Sequence, residues 1–357
     1  MSDQKTVLVT GVGGYWGSKV AARLLENPDA WRVIGLDAEK PRVELKGLDF
    51  IQADIRNPLV LDLLQVEQVD TVCHLAFSET TRLSEAVFEL NVIGTMKVLG
   101  ACGEAGVRKV VLRTSTMVYG AISTNSAFLT EEHPLQGSRQ NGHTRDMVEI
   151  EAFCNGFRRQ APQVTLSVLR FPSVIGPEID SAMTRFLSDP WAPVLLGFDP
   201  RMQIIHESDA IGALVHAVEH DLPGVFNVAA EQVLPLSRIS GLAGKLSIPV
   251  FHLAAYWGLG ALGSLNRSVY KHWPIEPDYL RYPWVGDLEK MRTEMNFVPH
   301  YTAEEALREF AGQQRVQRYL PEAVSLAFDE ERLRDTIDRR RRARAHEEPT
   351  ELAVEED

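Results

Sequence analysis

Short apolar runs alternate with helical patterns over the first half of the chain. Residues 6–10 (TVLVT) and 32–36 (RVIGL) are typical of buried strands, and the apolar residues of segment 17–26 between them can share one helix face. The alternation continues through apolar runs at residues 49–53, 69–75, 109–113 and 164–170. Continuous apolar strands separated by helices predict a doubly wound α/β fold, in which a parallel sheet is covered on both faces.

The pattern loosens in the second half of the chain, where prolines become frequent. Residues 224–228 (GVFNV) nevertheless still have the pattern of a sheet strand. We therefore predict a first domain over residues 1–178 and a small C-terminal cap over residues 179–312, interleaved with the last elements of the first domain.

Two later segments have unusual composition. Residues 248–265 (IPVFHLAAYWGLGALGSL) approach the length of a membrane span, but Pro249, His252 and three glycines favour an apolar element of the cap. We expect no transmembrane segment and leave contact with a membrane surface open as an alternative. Residues 313–357 carry a basic block at 339–342 and an acidic end, which predicts a charged, helical and partly disordered tail.

The charge and the cysteine content disfavour several classes of function. With 37 Lys and Arg against 49 Asp and Glu, the net charge is −12, which disfavours binding to nucleic acid. Cys73, Cys102 and Cys154 lie in no metal-binding or CxxC spacing, so we expect neither a disulfide framework nor a metal site. The N-terminus enters a strand pattern without the features of a signal peptide, and these observations together predict a cytoplasmic protein.

A glycine-rich segment, Thr10–Gly17 (TGVGGYWG), joins the first predicted strand to the first helix. Gly11, Gly14 and Gly17 have the spacing GxxGxxG. The first glycine permits a tight turn, the second lets main-chain N–H groups approach a pyrophosphate, and the third lets helix and strand pack closely. Because the helix N-terminus also offers unpaired donors to phosphates, the segment predicts a dinucleotide-binding site in a Rossmann fold.

An acidic residue stands where the adenosine ribose of such a cofactor is expected. Asp37 ends the second predicted strand, about twenty residues after the glycines. A carboxylate there accepts hydrogen bonds from the ribose hydroxyls and would repel a 2′-phosphate, so we predict NAD as the cofactor. Lys40 and Arg42 lie nearby and leave NADP as the less favoured alternative.

Further motifs carry a resemblance to a known family. They are ADIRNP (Ala53–Pro58), HLAF (His74–Phe77), NVIGT (Asn91–Thr95), STMVYG (Ser115–Gly120), LRFPSVIGP (Leu169–Pro177), HESDA (His206–Ala210) and DLEKMRTEMNFVP (Asp287–Pro299). With these motifs the chain resembles the extended short-chain dehydrogenase/reductases of the NAD-dependent epimerase/dehydratase family, which includes UDP-glucose 4-epimerase. The resemblance runs from about residue 6 to about residue 310.

This resemblance implies which residues hold NAD. Asp54 and Ile55 would flank the adenine, residues 75–76 would line the pyrophosphate and ribose, and residues 172–173 would lie near the nicotinamide carboxamide. A helix N-cap is the alternative role for Asp54. The full set expected to bind NAD is Gly11, Gly14, Tyr15, Trp16, Gly17, Asp37, Asp54, Ile55, Leu75, Ala76, Phe77, Asn91, Thr114, Arg145, Pro172 and Ser173.

The catalytic residues of the family are only partly present. In the family, a serine or threonine and a YxxxK motif on the next helix handle the proton while hydride moves to or from C4 of the nicotinamide. Ser115 matches the serine, but Asn141 and Arg145 stand where the tyrosine and the lysine are expected. Asparagine cannot titrate, whereas arginine can hold the ribose but cannot release its proton.

Three other side chains are candidates for the proton transfer. Tyr119 belongs to the VYG motif, and packing in the core is its alternative role. His143 has a reference pKa of about 6.5, and a displaced helix start could bring it to the cleft. Two residues of helix, however, correspond to about 200° and would point it away from the face of Asn141. His206 is expected to be structural and to precede a helix that a residue at 208–209 would cap.

Two hypotheses of different class follow. The first is an NAD-dependent oxidoreductase or epimerase that acts on a hydroxyl or keto group, with Ser115 polarising the substrate oxygen, Arg145 orienting the ribose and Tyr119 as a candidate proton carrier. The second is a catalytically silent NAD-binding protein with a regulatory or scaffold role. The absence of an ordinary acid or base at Asn141 motivates the second hypothesis.

The substrate class and the assembly are less clearly marked. Met202 stands, beside Arg201, where sugar-nucleotide enzymes of the family often have an arginine, which weakens but does not exclude a sugar-nucleotide substrate. The aromatic residues around Tyr256, Trp257, Tyr270, Trp273 and Trp284 favour a greasier pocket for a lipid or sterol, with core packing as the alternative. The resemblance also implies a homodimer.

Overall fold

A parallel sheet of seven strands forms the centre of the computed structural model, which describes residues 4–251, residues 275–319 and residue 337. The strands of the chain are β1 (Lys5–Thr10), β2 (Trp31–Asp37), β3 (Asp49–Gln52), β4 (Thr71–His74), β5 (Lys109–Ser115), β6 (Thr165–Phe171), β7 (Ser173–Ile175), β8 (Trp191–Leu195), β9 (Arg201–His206), β10 (Gly224–Asn227), β11 (Val233–Pro235) and β12 (Leu246–Val250). The central sheet has the order β10-β6-β5-β4-β1-β2-β3. The chain therefore reverses its direction of travel across the sheet between β1 and β4, which is where ligands bind in doubly wound folds.

Helices cover both faces of this sheet, as the alternation of apolar runs predicted. They are α1 (Tyr15–Leu25), α2 (Val60–Val66), α3 (Glu85–Phe88), α4 (Gly94–Ala105), α5 (Gly142–Gln160), α6 (Ala182–Phe186), α7 (Glu207–Glu219), α8 (Leu236–Leu242), α9 (Glu289–Thr293) and α10 (Ala303–Tyr319). In β1, Val7 and Val9 pack with α1 and α7, whereas Leu8 points to the opposite face and packs with α2, α4 and α5. This alternation buries both sides of the strand and confirms the doubly wound Rossmann prediction.

The second half of the chain contributes to two smaller sheets. One has the order β11-β9-β7 and the other pairs β12 with β8. Side chains from these two sheets pack with the region around Tyr279 and Trp284 and form a hydrophobic core separate from the two that cover the faces of the central sheet. Residues 224–227 form β10 and pair with β6 in the central sheet, so the central sheet includes a strand from beyond the predicted boundary at residue 178.

Contacts divide the chain into a compact unit over Met1–Phe310 and another over Ala311–Asp357. The predicted boundary at residue 178 lies inside the first unit. Most of the apolar segment 248–265 and the charged blocks of the tail lie outside the described residues. The same is true of four aromatic residues that were predicted to line an apolar pocket, Tyr256, Trp257, Tyr270 and Trp273.

Within residues 4–251 and 275–319, one helical stretch, Glu85–Ala105, is long and apolar enough to cross a membrane by length and composition alone. It comprises α3, a π-helical turn over Glu89–Ile93, and α4. Its residues Val98, Leu99 and Cys102 are buried in the core shared with α2 and α5. This packing is typical of a core helix, and we assign no membrane span to it.

The three cysteines lie in the protein core. Cys73, Cys102 and Cys154 are free thiols and are buried. Burial raises the pKa of each thiol to about 12. Their thiolate forms are therefore scarce at neutral pH, and these residues act as small apolar side chains.

Candidate functional site

The glycine segment forms a tight turn between β1 and α1. Gly11 has a φ of +78°, and a Cβ added there would lie 2.6 Å from the main-chain oxygen of Leu75. A Cβ at Gly17 would lie 2.2 Å from the main-chain oxygen of Gly11. Both positions therefore require glycine, the first for its backbone conformation and the second for close packing of helix on loop.

The second glycine of the motif is open to solvent. Gly14 is exposed and is the N-cap residue of α1, and a Cβ there would have its nearest contact at 3.4 Å. Because glycine has no side chain to cap the helix, the first N–H groups of α1 stay available to an external acceptor. This is the arrangement that binds a pyrophosphate at a helix N-terminus.

Asp37 lies at the end of β2, directly beside the glycine turn. Its Oδ2 accepts a hydrogen bond from the Gly13 main-chain nitrogen at 2.9 Å, and its Oδ1 accepts one from the Glu39 nitrogen at 3.0 Å. These two bonds fix the carboxylate at the mouth of the cleft. Its position fits the predicted role of receiving ribose hydroxyls.

A cleft, here named the glycine-loop cleft, runs along the carboxyl ends of β1, β2 and β4. Its cavity volume is about 280 Å³, at the lower end of the usual range for ligand sites of about 300–1,000 Å³. It is lined by Gly11, Gly14, Tyr15, Trp16, Asp37, Ala38, Glu39, Asp54, Ile55, Leu75, Ala76, Phe77, Ser78 and Leu90. Ten of these residues were expected to bind NAD, so the lining of the cleft fits this cofactor.

Asp54 does not cap a helix, because α2 begins only at Val60, with Leu59 at its N-cap. Its carboxylate instead accepts hydrogen bonds from the main-chain nitrogen and the guanidinium of Arg56, at 2.8 Å and 2.6 Å. The side-chain hydrogen bond from Arg56 lowers the pKa of Asp54. The carboxylate is therefore held ionised at the edge of the cleft.

A buried hydrogen-bonded chain supports the wall of this cleft. Thr10 Oγ1 lies 2.8 Å from Nδ1 of His74 and accepts a hydrogen bond from the Leu75 nitrogen at 3.1 Å. On the other side, His74 Nε2 lies 3.0 Å from Thr95 Oγ1, which donates to the Asn91 carbonyl. Burial lowers the pKa of His74 to about 3, so the ring stays neutral, and the threonine bonds assign its proton to Nε2.

A second cavity adjoins the first and contains the predicted catalytic serine. This cavity, here named the Ser115 pocket, has a cavity volume of about 90 Å³ and about 600 Å³ with the open space at its mouth. It is lined by Trp16, Glu79, Arg113, Thr114, Ser115, Met117, His143, Phe171, Pro172, Ser173, Val174, Ile179, Asp180, Ser181, Ala182, Met183 and Trp284. Trp16 lines both cavities, so the two are neighbours.

Ser115 ends β5 and caps the short 3-10 helix Thr116–Tyr119. Its Oγ accepts a hydrogen bond from the Met117 nitrogen at 3.2 Å, which leaves the hydroxyl hydrogen free to donate. Thr114 also lines the pocket, but its hydroxyl donates to Glu151 at 2.6 Å. Of these two neighbouring hydroxyls, that of Ser115 is the one able to polarise a substrate oxygen.

An ion pair that sequence reasoning missed lines the same pocket. Arg113 on β5 is buried, and its Nη2 donates to Glu79 Oε1 at 2.8 Å. The guanidinium also lies 4.4 Å from the centre of the Trp16 ring, which stacks on Phe171 at 5.8 Å. The available signal was an arginine inside an apolar strand, since a buried charge requires a partner.

The beginning of α5 differs from the sequence expectation. Asn141 is the N-cap residue, with φ −96° and ψ 128°, and its Oδ1 accepts from the Thr144 nitrogen at 3.1 Å. It is therefore outside the helix, and a helical phase counted from it does not apply. His143 lines the Ser115 pocket whereas Asn141 does not, which is the alternative that a displaced helix start allowed.

Arg145 is held away from both cavities. Its Nε and Nη2 donate to Asp146 Oδ1 at 3.0 and 2.8 Å, and its guanidinium lies 4.6 Å from the centre of the Phe88 ring. Asp146 is fully buried and also accepts from Nδ2 of Asn91 at 2.9 Å. Among the described residues that line the two cavities, neither Arg145 nor Asn91 occurs, so their predicted contacts with NAD stay predictions.

Tyr119 lies beneath the site. It is fully buried, its hydroxyl donates to Asn227 Oδ1 at 2.6 Å, and it accepts from Nη1 of Arg170 at 2.7 Å. Arg170 in turn pairs with the buried carboxylate of Glu151. Burial raises the pKa of the Tyr119 hydroxyl. This environment favours the alternative of a packed core residue, and Tyr119 is not part of the described lining of either cavity.

His206 has the structural role that was expected, but by a different route. Its own Nδ1 accepts from the Ser208 nitrogen at 3.2 Å and caps α7, whereas Asp209 accepts from the main-chain nitrogens of residues 300 and 301. The His206 ring stacks on Tyr301 at 3.9 Å.

Met202 is buried on β9 in the core of the cap and takes no part in the described lining of the Ser115 pocket.

Comparison with known proteins agrees with this architecture. The family model described as the NAD dependent epimerase/dehydratase family matches residues 7–229, more than half of the chain. An uncharacterized protein of Mycobacterium tuberculosis is 35% identical over 318 residues, which is 86% of this chain and 83% of that protein.

Two solved structures are similar in fold. The UDP-glucose 4-epimerase of Thermotoga maritima, determined with UDP-glucose, has a TM-score of 0.66 at 18% identity, covering 87% of this chain and 98% of the other. The UDP-glucuronic acid 4-epimerase of Bacillus cereus, determined with NAD, has a TM-score of 0.64 at 19% identity, with coverage of 87% and 98%. The chain belongs to the NAD dependent epimerase/dehydratase family.

Proposed function

We propose that this protein is an NAD-dependent oxidoreductase or epimerase that acts on a hydroxyl or keto group of a small-molecule substrate. The observation that carries the proposal is the adjacency of the two cavities. The glycine-loop cleft has the main-chain donors and the carboxylate for the adenosine end of NAD. Trp16 lines both this cleft and the Ser115 pocket, so the two cavities are neighbours. The chain therefore offers a reactive hydroxyl next to a cofactor site.

Each region of the site has a separate task in this proposal. The open N-terminus of α1 binds the pyrophosphate, and Asp37 receives the adenosine ribose. When bound, NAD supplies the acceptor or donor of hydride. Ser115 donates a hydrogen bond to the substrate oxygen and stabilises the negative charge that develops there. Phe171 and Trp284 exclude water from the pocket wall.

A sugar nucleotide is the first substrate class to test. The Thermotoga maritima enzyme with a similar fold was determined with UDP-glucose, and the Bacillus cereus enzyme is described as acting on UDP-glucuronic acid. The pocket also has a mixed lining in which Glu79, Arg113 and Asp180 supply polar groups beside aromatic walls. A lipid or sterol alcohol is the second class, because Met202 replaces the expected arginine and Trp284 lines the pocket.

A catalytically silent NAD-binding protein is the second candidate function. Two observations favour it: Asn141 is used as a helix cap, and Arg145 is engaged by Asp146. Neither residue can then take the place of the family's tyrosine and lysine without rearrangement. A catalyst that lacks a general acid or base loses about 10²–10⁴ in rate.

Turnover separates the two candidates. The purified protein, loaded with NAD, is incubated with UDP-glucose, UDP-glucuronic acid and a hydroxysteroid, and nicotinamide absorbance and product epimers are followed. We expect turnover on one of these classes, with a loss of about 10²–10³ in kcat for Ser115→Ala. Ser126→Ala is the matched control, because Ser126 is exposed and bonds only to the nearby Phe128 carbonyl in the described structure. Saturable NAD binding without turnover on any substrate would instead establish the silent protein.

A further inference from the structure

We propose that His143 carries the proton in this site, with the Glu79–Arg113 pair setting the charge around it. The proposal rests on the function given above and identifies the proton carrier that Asn141 cannot supply. His143 lines the same pocket as Ser115, and the proposal places one substrate against both side chains. It would thus be a catalytic residue, whereas Glu79 and Arg113 act on it as positioning residues.

The local fold places the histidine in the pocket. A Cβ at Gly142 would lie 2.2 Å from the main-chain oxygen of Arg82, and the Gly142 nitrogen donates to the Thr81 carbonyl at 3.0 Å. The loop that follows β4 is therefore packed directly on the first turn of α5. Because Glu79 belongs to this loop and His143 to this turn, both side chains reach the same cavity.

The imidazole is not used for a structural bond. Its Nδ1 is buried without a hydrogen-bond partner among the described residues. Buried ring nitrogens are ordinarily paired, as both nitrogens of His74 are with threonine hydroxyls. Among the described residues, the buried Nε2 atoms of His133 and His206 are without a hydrogen-bond partner as well, but neither of these histidines lines the Ser115 pocket as His143 does.

The charges around His143 come from several elements. Glu79 on the loop and Asp146 on α5 favour its protonated form, whereas Arg113 on β5 and Arg185 on α6 oppose it. Burial is the largest influence and places the pKa of His143 below its usual value. The pKa of Glu79 is lowered as well, because Arg113 and His143 outweigh the effect of burial, so its carboxylate is ionised.

Because burial lowers its pKa, His143 is neutral at neutral pH and can act as a base. The neutral ring would accept the proton of the substrate hydroxyl, and NAD, when bound in the neighbouring cleft, would supply the acceptor for the hydride of the carbinol carbon. The O–H and C–H bonds break, a C=O bond forms, and the imidazolium holds the proton beside Glu79. The reverse reaction returns the proton to the carbonyl oxygen as hydride comes back to carbon, so protons and electrons balance in both directions.

The first test is kinetic. We expect His143→Gln to lower kcat by about 10²–10⁴ while the Kd for NAD stays unchanged. For the intact protein, kcat for oxidation of the alcohol should be constant at pH values above the pKa of His143 and should fall as the pH drops through that pKa. In Glu79→Gln, loss of the negative charge lowers the pKa of His143, so this fall moves to lower pH.

A merely structural role for His143 would not give these results. His143→Ala should regain activity on addition of free imidazole, which replaces the missing base without restoring a covalent side chain. His300→Gln is the matched control. His300 is exposed, is not part of the described lining of the Ser115 pocket, and bonds through its main-chain nitrogen to Asp209. Its activity and pH profile should equal those of the unaltered protein.

The second test does not depend on turnover. Histidine ring resonances of the protein without substrate are titrated by NMR, and the His143 signal is assigned as the one of ten that is missing in His143→Gln. We expect a pKa below the usual 6.5 or so, and a further decrease in Glu79→Gln. A pKa above 7 or so, or one indifferent to Glu79→Gln, would overturn the proposed pairing.

The outcomes separate this inference from the proposed function. If the unaltered protein turns over a substrate and His143→Gln does so at the same rate with the same pH profile, His143 is not the carrier and the enzyme assignment stands. If the unaltered protein binds NAD but converts none of the substrates, both statements are wrong. Loss of kcat with imidazole rescue supports both.

Discussion

The two helices that border the site begin in opposite ways. Helix α1 starts after Gly14, which is exposed and has no side chain, so its first N–H groups remain open to a ligand. Helix α5 starts after Asn141, which is buried and closes its own helix with a side-chain hydrogen bond. The first N-terminus is built to receive a charged group from outside, and the second is already satisfied.

This difference shows where the chain keeps its family's chemistry and where it departs from it. At α1, the glycines, Asp37 and the wall of residues 75–77 form the cleft that the family pattern predicts. At α5, Asn141, which the sequence comparison predicted to stand in the place of the family's tyrosine, is a helix cap, and the proposed function assigns the reaction to Ser115 and His143. Changes at α1 should therefore affect cofactor binding, and changes at the cap of α5 should affect stability.

The largest expected effect on stability is that of Arg145→Ala. It leaves the fully buried Asp146 carboxylate with Asn91 as its remaining described partner, and loss of one member of a buried pair costs about 3 kcal/mol of unfolding free energy. NAD affinity of the folded protein should change little, since Arg145 is turned away from the described cavities. Urea denaturation and a calorimetric NAD titration measure the two quantities.

A matched variant sharpens this prediction. Asp146→Asn removes the buried charge, so Arg145→Ala made in that background should cost much less than it does alone. Unchanged stability with a tenfold loss of NAD affinity would be the opposite result, and it would mean that the guanidinium turns to the cofactor ribose when NAD binds.

Gly17→Ala has the next largest expected effect, and it should lower both the unfolding free energy and the affinity for NAD. Its Cβ would lie 2.2 Å from a main-chain oxygen, so helix and loop must separate, at a cost of about 1–3 kcal/mol. The displaced turn should also weaken NAD binding. Gly14→Ala is the comparison, because its Cβ meets nothing closer than 3.4 Å and thermal unfolding should be unaltered. Equal melting temperatures for both variants would contradict this account of the turn.

Asn141→Ala should have the smallest effect. It removes the cap of α5 and lowers the unfolding free energy by about 1 kcal/mol, whereas Asn141→Ser, which can still cap, should lower it less. Turnover and the Kd for NAD should be unchanged in both variants when measured well below the melting temperature. A large loss of kcat in Asn141→Ser would show that this residue takes part in the reaction after all.

Most of the fold and the cofactor cleft could be predicted because their signals are local. Apolar runs fix the strands, and the glycine spacing reports a turn that other residues cannot adopt. Asp37 ends a strand at the edge where the carboxyl ends of parallel strands meet. Each of these inferences needs only neighbouring residues in the sequence.

The reacting pocket could not be predicted in the same way because its contacts are distant in sequence. Arg113 pairs with Glu79 across 34 positions, and the loop that fixes Gly142 comes from residues 81–82. The sequence left the orientation of His143 open, because a cap residue does not share the geometry of the helix that it begins and the exact start of α5 could not be predicted. His206 caps α7 with its own ring, which the usual preference for serine and aspartate did not predict.

The most direct measurement of the central claim is a calorimetric titration of nucleotide-stripped protein with NAD and with NADP. The account predicts saturable binding of NAD, weaker binding of NADP, and loss of both the affinity for NAD and the preference against NADP in Asp37→Asn. Absence of saturation with either dinucleotide, or an unaltered protein that prefers NADP, would contradict it.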